Sequence, residues 1–522
     1  MAKGTANASL IVGVSGLRGI VGESLTPEVA VRFAAAFGTW LTGRAPTSRR
    51  PLVVLGRDGR AGGEVFEAAA IAGLTGTGCR VLACGVASTP TIGVACDAAS
   101  ADAGVVVSAS HNPQEWNGMK LLVREASLAG RQASDMRGGP RGATADCAAP
   151  PATLAQELMQ RFEAGAAVWT AGPASGDVTW DDDADEKHCL RVKSAVEALC
   201  GRGWHDLLEG GRVARVVTDS VNASSAHLDR RFFNRGRIAC VQLGARSTGI
   251  FEHPPEPTRE NLSGEGGLCD AVPGLRADIG FAQDPDADRL AIVDETGRYI
   301  GAEYTLVLCA DALLSMQDGR PAKGKPAVVV NLSTSRMVED VAAAHGAEVI
   351  RTPVGEANVV ERMKALEAEG RNVVLGGEGN GGVIWPEVVY IRDSLSAIAL
   401  VLSLMARRGK LARELVAEID ALALGGKGYA IVKRKAPILS KEAASPAVDA
   451  VAEHFGRDPA NRIDRQDGAR IEFPADGERA GAWVHVRASN TEPIMRLICE
   501  APTEAIANAV LDEAAGVIER PE

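Results

Sequence analysis

The stretch Lys325–Gly355, KPAVVVNLSTSRMVEDVAAAHGAEVIRTPVG, alternates between two kinds of pattern. A valine-rich apolar run leads into Ser and Thr, a stretch with helical spacing comes next, and a second β-rich run follows. Small polar residues and glycine mark each switch from a period of 2 to a period of 3.6. The pattern predicts a strand–helix–strand unit, and such units build parallel or mixed sheets.

Similar units occur earlier in the chain. The run RPLVVLGRD precedes the helical stretch GGEVFEAAAIAGLTGTG, and RVARVVTDS precedes SSAHLDRRFFNRG. The last hundred residues differ, because KGYAIVKRKAPI, ARIEFPADG and AWVHVRASN are typical of antiparallel strands and a closing helix follows them. We therefore predict an α/β fold with three related mixed α/β domains and a C-terminal α+β domain. Part of the Ala-, Gly- and Pro-rich segment between residues 127 and 183 is expected to be a surface excursion.

Composition narrows the function. The chain has 522 residues, 46% of them hydrophobic, and a formal net charge of −11. An acidic protein is a poor partner for nucleic acid or an anionic membrane, but local basic clusters can still bind a small anion. Ten cysteines without C-x-x-C spacing indicate reduced thiols of a cytoplasmic protein, and no signal peptide is expected. The longest apolar run, residues 395–406, is too short to cross a bilayer and predicts a core helix.

The segment Gly104–Lys120, GVVVSASHNPQEWNGMK, combines a strand pattern with polar chemistry. The strand should end near Ser108, and the following loop would bring the hydroxyl of Ser110 near the ammonium of Lys120. A hydrolase would pair Ser110 with His111. That pairing is expected to be poor, since neighbours in an extended segment point to opposite sides. A simple turn closing a strand–helix connection remains the alternative.

A second polar loop lies in FAQDPDADRLAIVDETG. Asp284, Asp286 and Asp288 are spaced by two residues, and Arg289 follows them. Three hard oxygen ligands directed to one point suit Mg²⁺. The glycine and the closing glutamate of an EF-hand are missing. An acidic solvated turn is the alternative.

The third loop, Val373–Pro386, is VVLGGEGNGGVIWP. Its glycines allow the backbone to approach a ligand closely, and the carboxylate of Glu378 could accept hydrogen bonds from two sugar hydroxyls. Asn380 lies beside it. A glycine-rich hairpin without a ligand is the alternative.

The fourth loop is VHVRASNTEPIMRL, in which Arg487 and Arg496 flank Ser489, Asn490 and Thr491. Two guanidinium groups with hydroxyls and backbone amides can hold a phosphate dianion. A surface loop with a salt bridge through Glu492 is the alternative.

Two weaker segments carry arginines near the N-terminus. Arg18 lies among glycines in GVSGLRGIVG, and LGRDGR holds Arg57, Asp58 and Arg60 after a strand. The second pattern is typical of a helix cap with an ion pair.

Taken together and in this order, the four loops resemble the α-D-phosphohexomutase superfamily. Its catalytic motif T/S-A-S-H-N-P stands here as SASHNP, its metal motif D-x-D-x-D-R as DPDADR, and its phosphate motif R-x-S-N/G-T-E-P as RASNTEP. The sugar motif G-E-x-S-G-H departs, because Asn380 replaces its serine and Gly382 replaces its histidine. The lysine of the K-V-G motif is also replaced, by Pro353. The variants RTPVGE and GGEGNGGVI resemble the archaeal-type phosphoglucosamine mutase branch.

The resemblance implies four domains around one cleft, with boundaries at residues 1–185, 186–300, 301–424 and 425–522. It also implies roles for individual residues. Ser110 would carry the phosphoryl group and, with the three aspartates, hold one Mg²⁺. Lys120 would be the general acid/base, and Arg18, His111 and Arg289 would complete the catalytic group. The sugar and its distal phosphate would be bound by Glu378, Asn380, Arg487, Ser489, Asn490, Thr491 and Arg496.

The implied reaction interconverts a hexose 6-phosphate and the 1-phosphate through a phosphoserine and a 1,6-bisphosphosugar, which would also act as activator. Glucosamine phosphate is the expected substrate. Without a ring at Gly382, open space there and the carboxylates of Glu378 and Glu356 would favour an ammonium at C2. Phosphomannomutase or phosphoglucomutase activity is the alternative, followed by a phosphosugar hydrolase and a non-catalytic binding protein. The expected partner is a small phosphosugar, not nucleic acid or membrane, and the expected assembly is a monomer or homodimer.

Overall fold

The structure is a computed structural model that describes residues 10–14, 16–45, 48–125, 145–172, 175–209, 213–316, 324–423, 426, 428–438, 440–488 and 494–519. Four β-sheets follow one another along the chain, and helices pack on them. The first three sheets are mixed and the fourth is antiparallel. The predicted fold class is therefore confirmed, whereas the four boundaries stay predictions.

The first sheet has the strand order β1-β2-β6-β5-β3-β4-β8, with β7 paired to β6. Its centre is parallel, and β6 runs antiparallel to β5. Its strands are β1 (Ile11–Gly13), β2 (Gly16–Ile20), β3 (Leu52–Arg57), β4 (Arg80–Val86), β5 (Ala103–Val107), β6 (Trp116–Arg124), β7 (Cys147–Ala148) and β8 (Val178–Trp180).

The second and third sheets repeat the centre of the first. Their orders are β10-β9-β11-β12 and β14-β13-β15-β16, and in each the last strand is antiparallel to its neighbour. The four strands β4-β3-β5-β6 of the first sheet have the same arrangement. The strands are β9 (Arg215–Asp219), β10 (Ala239–Leu243), β11 (Ile279–Gln283), β12 (Leu290–Asp294), β13 (Pro326–Asn331), β14 (Glu348–Thr352), β15 (Asn372–Glu378) and β16 (Gly382–Ile384).

The fourth sheet is antiparallel throughout, in the order β17-β21-β20-β19-β18. Two helices from the same part of the chain pack against it and share its apolar core. Its strands are β17 (Ala430–Pro437), β18 (Arg462–Asp464), β19 (Ala469–Glu472), β20 (Trp483–Ala488) and β21 (Ile494–Ala501).

The helices connect the strands and cover the sheets. They are α1 (Pro27–Thr42), α2 (Gly63–Gly76), α3 (Thr89–Ala98), α4 (Ala152–Glu163), α5 (Ala184–Cys200), α6 (Trp204–Glu209), α7 (Ser225–Gly236), α8 (Arg259–Leu262), α9 (Leu268–Gly274), α10 (Ala302–Ser315), α11 (Met337–Ala344), α12 (Glu356–Ala368), α13 (Ser394–Arg408), α14 (Ala412–Leu422), α15 (Ala444–Gly456) and α16 (Glu504–Glu519).

The long apolar helix α13 lies in the core, as its sequence predicts. Asp393 caps it by accepting a hydrogen bond from the backbone N–H of Leu395 (3.0 Å), which satisfies one otherwise unpaired donor of the first turn. Every residue from Ser394 to Met405 is buried, within a core that joins the first three sheets. No helix of the described segments combines the length and hydrophobicity that crossing a bilayer requires.

The expected surface excursion is partly wrong. Cys147 and Ala148 are buried and form β7, which pairs with Val123 and Arg124 at the end of β6. The carboxylate of Asp97 accepts the N–H groups of Asp146 (3.1 Å) and Cys147 (3.2 Å), and these hydrogen bonds hold the segment against α3. Residues 127–144 of that segment lie outside the described residues.

Candidate active site

The repeated strand arrangement places three polar loops at equivalent positions. In each of the first three sheets the loop between the third strand and the antiparallel fourth strand carries the predicted chemistry. These loops are β5–β6 with Ser110, β11–β12 with the aspartates, and β15–β16 next to Glu378. Ligands of open α/β sheets bind beyond the carboxyl ends of the strands, which is where these loops lie.

A buried ion pair between Arg60 and Asp58 supports the loop of Ser110. Arg60 donates from Nε to Asp58 Oδ2 (2.9 Å) and from Nη2 to the carbonyl of Ser110 (2.6 Å). Asp58 also accepts from Ser108 Oγ (2.7 Å), and that hydroxyl accepts from the backbone N–H of Ser110 (2.8 Å). The ion pair expected in LGRDGR therefore exists, and it supports the loop that carries Ser110.

Ser110 itself has a left-handed backbone with φ 52°, and it is 1% exposed. Its Oγ donates to Asp284 Oδ2 (3.0 Å) and lies 3.3 Å from Nδ1 of His111. The expectation that these neighbours point apart is wrong, because it assumed an extended backbone at Ser110. A non-glycine residue at positive φ is unusual, and here it directs the hydroxyl towards the aspartates.

The three aspartates of the β11–β12 loop are fully buried, and one ligand atom from each lies within 4.8 Å of the others. Asp284 Oδ1 accepts the N–H groups of Asp288 and Arg289 (3.1 Å each). The Oδ1 atoms of Asp286 and Asp288 are buried without a hydrogen-bond partner among the residues described. An acidic turn on the surface would be hydrated, so the solvated-turn alternative does not describe this loop.

Lys120 on β6 lies against this cluster. Its Nζ donates to Asp288 Oδ2 (2.8 Å) and to Asp286 Oδ2, and Thr89 Oγ1 also donates to Asp286. Burial lowers the pKa of Lys120, but Asp286 and Asp288 outweigh it and raise the pKa above its ordinary value. Lys120 is therefore an ammonium at neutral pH.

The aspartates differ in their electrostatic surroundings. Burial and the neighbouring Asp288 and Asp286 raise the pKa of Asp284 well above its ordinary range. Burial also raises the pKa of Asp288, but Arg392, Lys120 and Arg289 outweigh it and hold that pKa well below its ordinary range. Asp288 is thus kept ionised by cations, whereas burial and the other two aspartates oppose the ionisation of Asp284.

The donor set fits a hard divalent cation. The two unpartnered Oδ1 atoms and the Asp284 oxygen beside Ser110 are carboxyl oxygens, which Mg²⁺ prefers over nitrogen or sulfur. Buried polar atoms without partners are costly, and a cation would satisfy both. The aspartate triad could therefore bind a metal ion.

Cationic and neutral nitrogen groups contact the Ser110 loop and the aspartate loop. Arg18 on β2 donates from Nη1 to Asn112 Oδ1 (3.2 Å), and Nε of Arg289 lies 3.9 Å from Asp288 Oδ1. Burial, then Arg289 and Arg18, hold the pKa of His111 well below its ordinary value, so this imidazole is neutral. The structure thus brings together all five residues of the expected catalytic group.

Glu378 ends β15 and is 4% exposed. Its Oε1 accepts from the amide of Asn331 (2.8 Å), and its Oε2 accepts from Nη1 of Arg392 (2.6 Å) and from Asn380 Nδ2 (3.4 Å). Asn380 Oδ1 accepts the N–H of Gly382 (3.1 Å), which closes the turn. Glu378 and Asn380 therefore form one hydrogen-bonded unit.

The expected open space at Gly382 is wrong. A Cβ atom there would lie 2.2 Å from Cδ of Arg392, so the side chain of Arg392 fills this volume. Arg392 also binds Glu356, whose Oε1 accepts the backbone N–H of Arg392 (2.8 Å). The side chain of Arg392 thus occupies the space that was expected to be open. The argument that this space favours an ammonium at C2 loses its structural basis.

The C-terminal sheet contributes Arg487 on β20 and Arg496 on β21, which are directly opposite in the antiparallel register. The Nε of Arg487 is buried and has no hydrogen-bond partner within the part of the chain that the structure describes. Burial and Arg496 lower the pKa of Arg487, while Asp467 and Glu378 oppose them, so Glu378 is within electrostatic reach. Ser489, Asn490, Thr491 and Glu492 lie outside the described residues.

Sequence reasoning missed Arg392, Asn331 and Thr89. Thr89 and Asn331 stand where a strand leads into a helix or loop, a position that the strand patterns already marked. Arg392 precedes the cap of α13 and follows Glu378 by 14 residues, outside every motif. Its only local signal is a charged residue directly before a long apolar helix.

Comparisons with known proteins agree with this geometry. Residues 9–135, 208–297 and 302–422 match the phosphoglucomutase/phosphomannomutase alpha/beta/alpha domains I, II and III, and residues 431–517 match the C-terminal domain of the same family. The four matches follow the four sheets in order.

Individual relatives match end to end. A phosphoglucomutase/phosphomannomutase of Thermococcus kodakarensis is 35% identical, with 96% of this chain and 97% of the relative covered. A probable phosphoglucosamine mutase of Methanopyrus kandleri is 32% identical, with 97% of each covered. A solved putative phosphomannomutase of Thermus thermophilus shares the fold with a TM-score of 0.73 at 23% identity, over 99% of this chain and 100% of that one. The chain therefore belongs to the phosphoglucomutase/phosphomannomutase family of the α-D-phosphohexomutase superfamily, whose members are hexose-phosphate mutases.

Proposed function

We propose that this protein interconverts hexose 6-phosphates and hexose 1-phosphates with Ser110 as the phosphoryl carrier. The observation that carries the proposal is the buried hydroxyl of Ser110, 3.0 Å from Asp284, in an aspartate cluster that Lys120 binds and whose charges act on Arg18. A serine hydroxyl in such a shell is suited to carry a dianionic phosphoryl group, because its negative charge meets cations on several sides.

The chemistry consists of two related transfers. The bond between phosphorus and Ser110 Oγ breaks while a bond forms from phosphorus to the free hydroxyl oxygen of the sugar. The hydroxyl proton leaves to a base, and the product is a hexose 1,6-bisphosphate. After the bisphosphate turns around, its other phosphate returns to Ser110 by the reverse step, and the isomeric monophosphate is released. Phosphoryl transfer mainly requires positioning and charge stabilisation, which a rigid, buried loop can supply.

Two groups are placed to handle the proton. Lys120 is charged in its present surroundings, so it is suited to give a proton to Ser110 Oγ as the serine is released. The neutral imidazole of His111, 3.3 Å from the same oxygen, is suited to accept one. We keep Lys120 as the proposed general acid/base: its ammonium gives a proton to Ser110 Oγ in the first transfer, and the resulting amine takes one back in the second. The proton of the sugar hydroxyl goes to His111 in the first transfer and returns in the second.

One Mg²⁺ held by Asp284, Asp286, Asp288 and the oxygen of Ser110 is part of this proposal. When bound, such an ion polarises the phosphoryl group and offsets its charge. The unpartnered Oδ1 atoms of Asp286 and Asp288 support it. Arg18 and Arg289 would contact the remaining phosphoryl oxygens.

The distal phosphate is proposed to bind Arg487 and Arg496 with Ser489, Asn490 and Thr491, and Glu378 with Asn380 is proposed to bind the sugar hydroxyls O3 and O4. The opposed arginines support this, because a dianion between them would remove their mutual repulsion. The 1,6-bisphosphate would serve as activator by phosphorylating Ser110. Ten free cysteines support the cytoplasmic setting, and a monomer or homodimer stays a prediction.

Glucosamine phosphate stays the first substrate to test, supported by relatives named probable phosphoglucosamine mutases. Glucose or mannose phosphate is the second candidate, because the 35% identical relative is named phosphoglucomutase/phosphomannomutase. Because Arg392 fills the volume at Gly382, the site shows no preference for an ammonium at C2, and the case for glucosamine phosphate over glucose or mannose phosphate is weaker.

The test is an assay of purified protein with Mg²⁺ and a catalytic amount of hexose 1,6-bisphosphate on the three 1-phosphates, followed by ³¹P NMR. We expect the matching 6-phosphate to form, with the highest kcat/KM on the glucosamine compound. A higher value on glucose or mannose phosphate would overturn the sugar but not the mutase. Release of inorganic phosphate without an isomer would instead select the hydrolase.

A further inference from the structure

Gly382 is a glycine for a steric reason. It lies in β16, paired with Glu378, and its backbone is not in the left-handed region that favours glycine. A Cβ atom there would lie 2.2 Å from Cδ and 3.0 Å from Cγ of Arg392. Any larger residue would have to displace the aliphatic stem of Arg392. The glycine thus makes room for one particular side chain.

The guanidinium of Arg392 joins three segments of the chain. Its Nη1 donates to Glu378 Oε2 and its Nη2 donates to Asp288 Oδ2, both at 2.6 Å. Its Nε lies 3.5 Å from Oε2 of Glu356 at the start of α12. Only 10% of the side chain is exposed, so solvent screens these contacts little. The β15–β16 loop and the β11–β12 loop with the three aspartates, called the metal loop below, are therefore connected through one rigid, planar group.

These contacts determine how Glu378 is held. The amide of Asn331 binds Oε1 from one side, and Arg392 binds Oε2 from the other. A carboxylate fixed at both oxygens keeps its plane, and its remaining lone pairs point in set directions. A guanidinium can do this because its fork is planar, whereas an ammonium at the same place would act as a point charge.

We infer that Arg392 is the positioning residue that fixes Glu378 relative to the metal loop, and that Gly382 is glycine in order to admit it. The inference rests on the proposed function, in which Glu378 binds sugar hydroxyls. Arg392 acts through Glu378 and so determines how sharply the site distinguishes sugars that differ at the hydroxyls Glu378 contacts.

The first experiment is a double-mutant cycle of Arg392→Lys and Glu378→Gln. It compares kcat/KM on glucose 1-phosphate with that on its C4 epimer, galactose 1-phosphate, or on their 2-amino counterparts if the wild type prefers those. We expect each single change to reduce the preference between epimers by at least about tenfold, and the double change to reduce it no further. Arg408→Lys, at the other end of α13 and paired with Asp311 and Glu418, is the matched control.

A merely structural role for Arg392 predicts something else. Both epimers would then lose activity by the same factor, and the two losses would add in the double variant. Either result overturns the inference while mutase activity persists. A wild type that isomerises none of the hexose phosphates would overturn the proposed function instead. Calorimetric binding of the two epimers to the Mg²⁺-loaded protein would then decide whether Arg392→Lys loses the preference.

The second experiment tests the steric half of the inference. Gly382→Ala should lower kcat/KM by at least about tenfold in the wild-type chain, because the new methyl group displaces Arg392. In an Arg392→Ala chain the same change should cost less than about twofold, because the 2.2 Å clash is gone and Asn380 Oδ1, 3.0 Å from the new Cβ, has to shift by only a few tenths of an ångström. Gly516→Ala, at a helix position with nothing within 4 Å, is the control. Equal losses in both backgrounds would show that the glycine serves another purpose.

Discussion

The serine–aspartate cluster, formed by Ser110, Lys120 and the three aspartates, contrasts with the arginine pair of Arg487 and Arg496. The cluster is buried, and the charges of its carboxylates are offset by Lys120, Arg392 and Arg289. The arginine pair places two like charges opposite each other across adjacent strands, with a buried donor left unpaired. The serine–aspartate cluster is thus assembled before a ligand arrives. The repulsion within the arginine pair, by contrast, would be relieved by a bound anion.

The contrast has a chemical reason. Phosphoryl transfer requires exact placement of the reacting groups, and pre-formed hydrogen bonds provide it. Holding a distal phosphate requires mainly affinity, and an unpaired guanidinium gains more from an incoming dianion than a paired one does. Removing a member of the cluster should therefore affect turnover or stability, whereas removing an arginine should affect binding.

The largest expected effect follows from removing the proposed phosphoryl carrier. Ser110→Ala should lower kcat by at least about 10³-fold, because the covalent route is lost. Steady-state assays and intact-mass analysis of the purified protein measure the turnover and the phosphoserine on the Ser110 peptide. Ser315→Ala, in the last turn of α10, is the control. Near-normal turnover of the alanine variant would show that Ser110 does not carry the phosphoryl group and that the serine–aspartate cluster is not the reacting end of the site.

The next largest effect separates two aspartates within the cluster. Asp288→Asn should destabilise the metal-free protein by about 3 kcal/mol, because Lys120 and Arg392 lose a buried counter-ion. Asp284→Asn should change that stability by less than about 1 kcal/mol or increase it, because it removes a charge that its neighbours oppose. Both changes should weaken Mg²⁺ activation. Denaturant unfolding in chelator measures the difference, with Asp512→Asn on the surface as control.

Equal destabilisation by the two substitutions would contradict the opposite pKa directions of Asp284 and Asp288. Full activity of the wild type in excess chelator would exclude a role for the metal altogether.

A comparable effect is expected near the arginine pair when the pH falls. His485 accepts from Ser333 Oγ (2.9 Å) at Nδ1 and donates from Nε2 to the carbonyl of Asp467 (2.6 Å), so it is held neutral. Burial, with Arg470 and Arg487 nearby, lowers the pKa of His485 to about 4. The unfolded chain, with a pKa near 6.5, binds a proton between these values that the folded chain does not.

Stability should therefore fall as the pH drops from about 6.5 to about 4, by up to about 3 kcal/mol from this group. His485→Gln should flatten this part of the curve. Urea unfolding at a series of pH values makes the measurement. A curve that keeps its slope in His485→Gln would assign the acid sensitivity to other groups.

The smallest expected effect is on the arginine pair itself. Arg487→Ala should raise KM by about 10- to 100-fold with a smaller change in kcat, because the distal phosphate binds similarly in the ground state and the transition state. Stability without substrate should stay the same or rise, since one of two opposed charges is gone. Arg462→Ala, with a side chain 85% exposed in the same sheet, is the control. A large fall in kcat with unchanged KM would show that Arg487 acts in the chemical step and not in binding the distal phosphate.

The sequence predicts the parts of the site that lie within short contiguous motifs. The three aspartates, Ser110 and the strand before each loop follow from local spacing, and the repeated strand–helix pattern predicts the three related sheets. Contacts between distant segments are different. Arg392 and Asp288 are 104 positions apart, so no local pattern could show that they meet. The positive φ of Ser110 depends on support from Asp58 and Arg60, and an extended backbone was the wrong assumption.

The metal loop is held by three different parts of the chain. The backbone N–H of Thr89 donates to the carbonyl of Asp286 (3.0 Å), Ser224 Oγ donates to the carbonyl of Pro285 (2.7 Å), and Ser394 Oγ donates to the carbonyl of Ala287 (2.8 Å). These three donors begin helices that belong to the first, second and third sheets. The loop therefore reaches its final shape only after all three have docked, so during folding the capacity to bind a cation should arise late and report complete assembly.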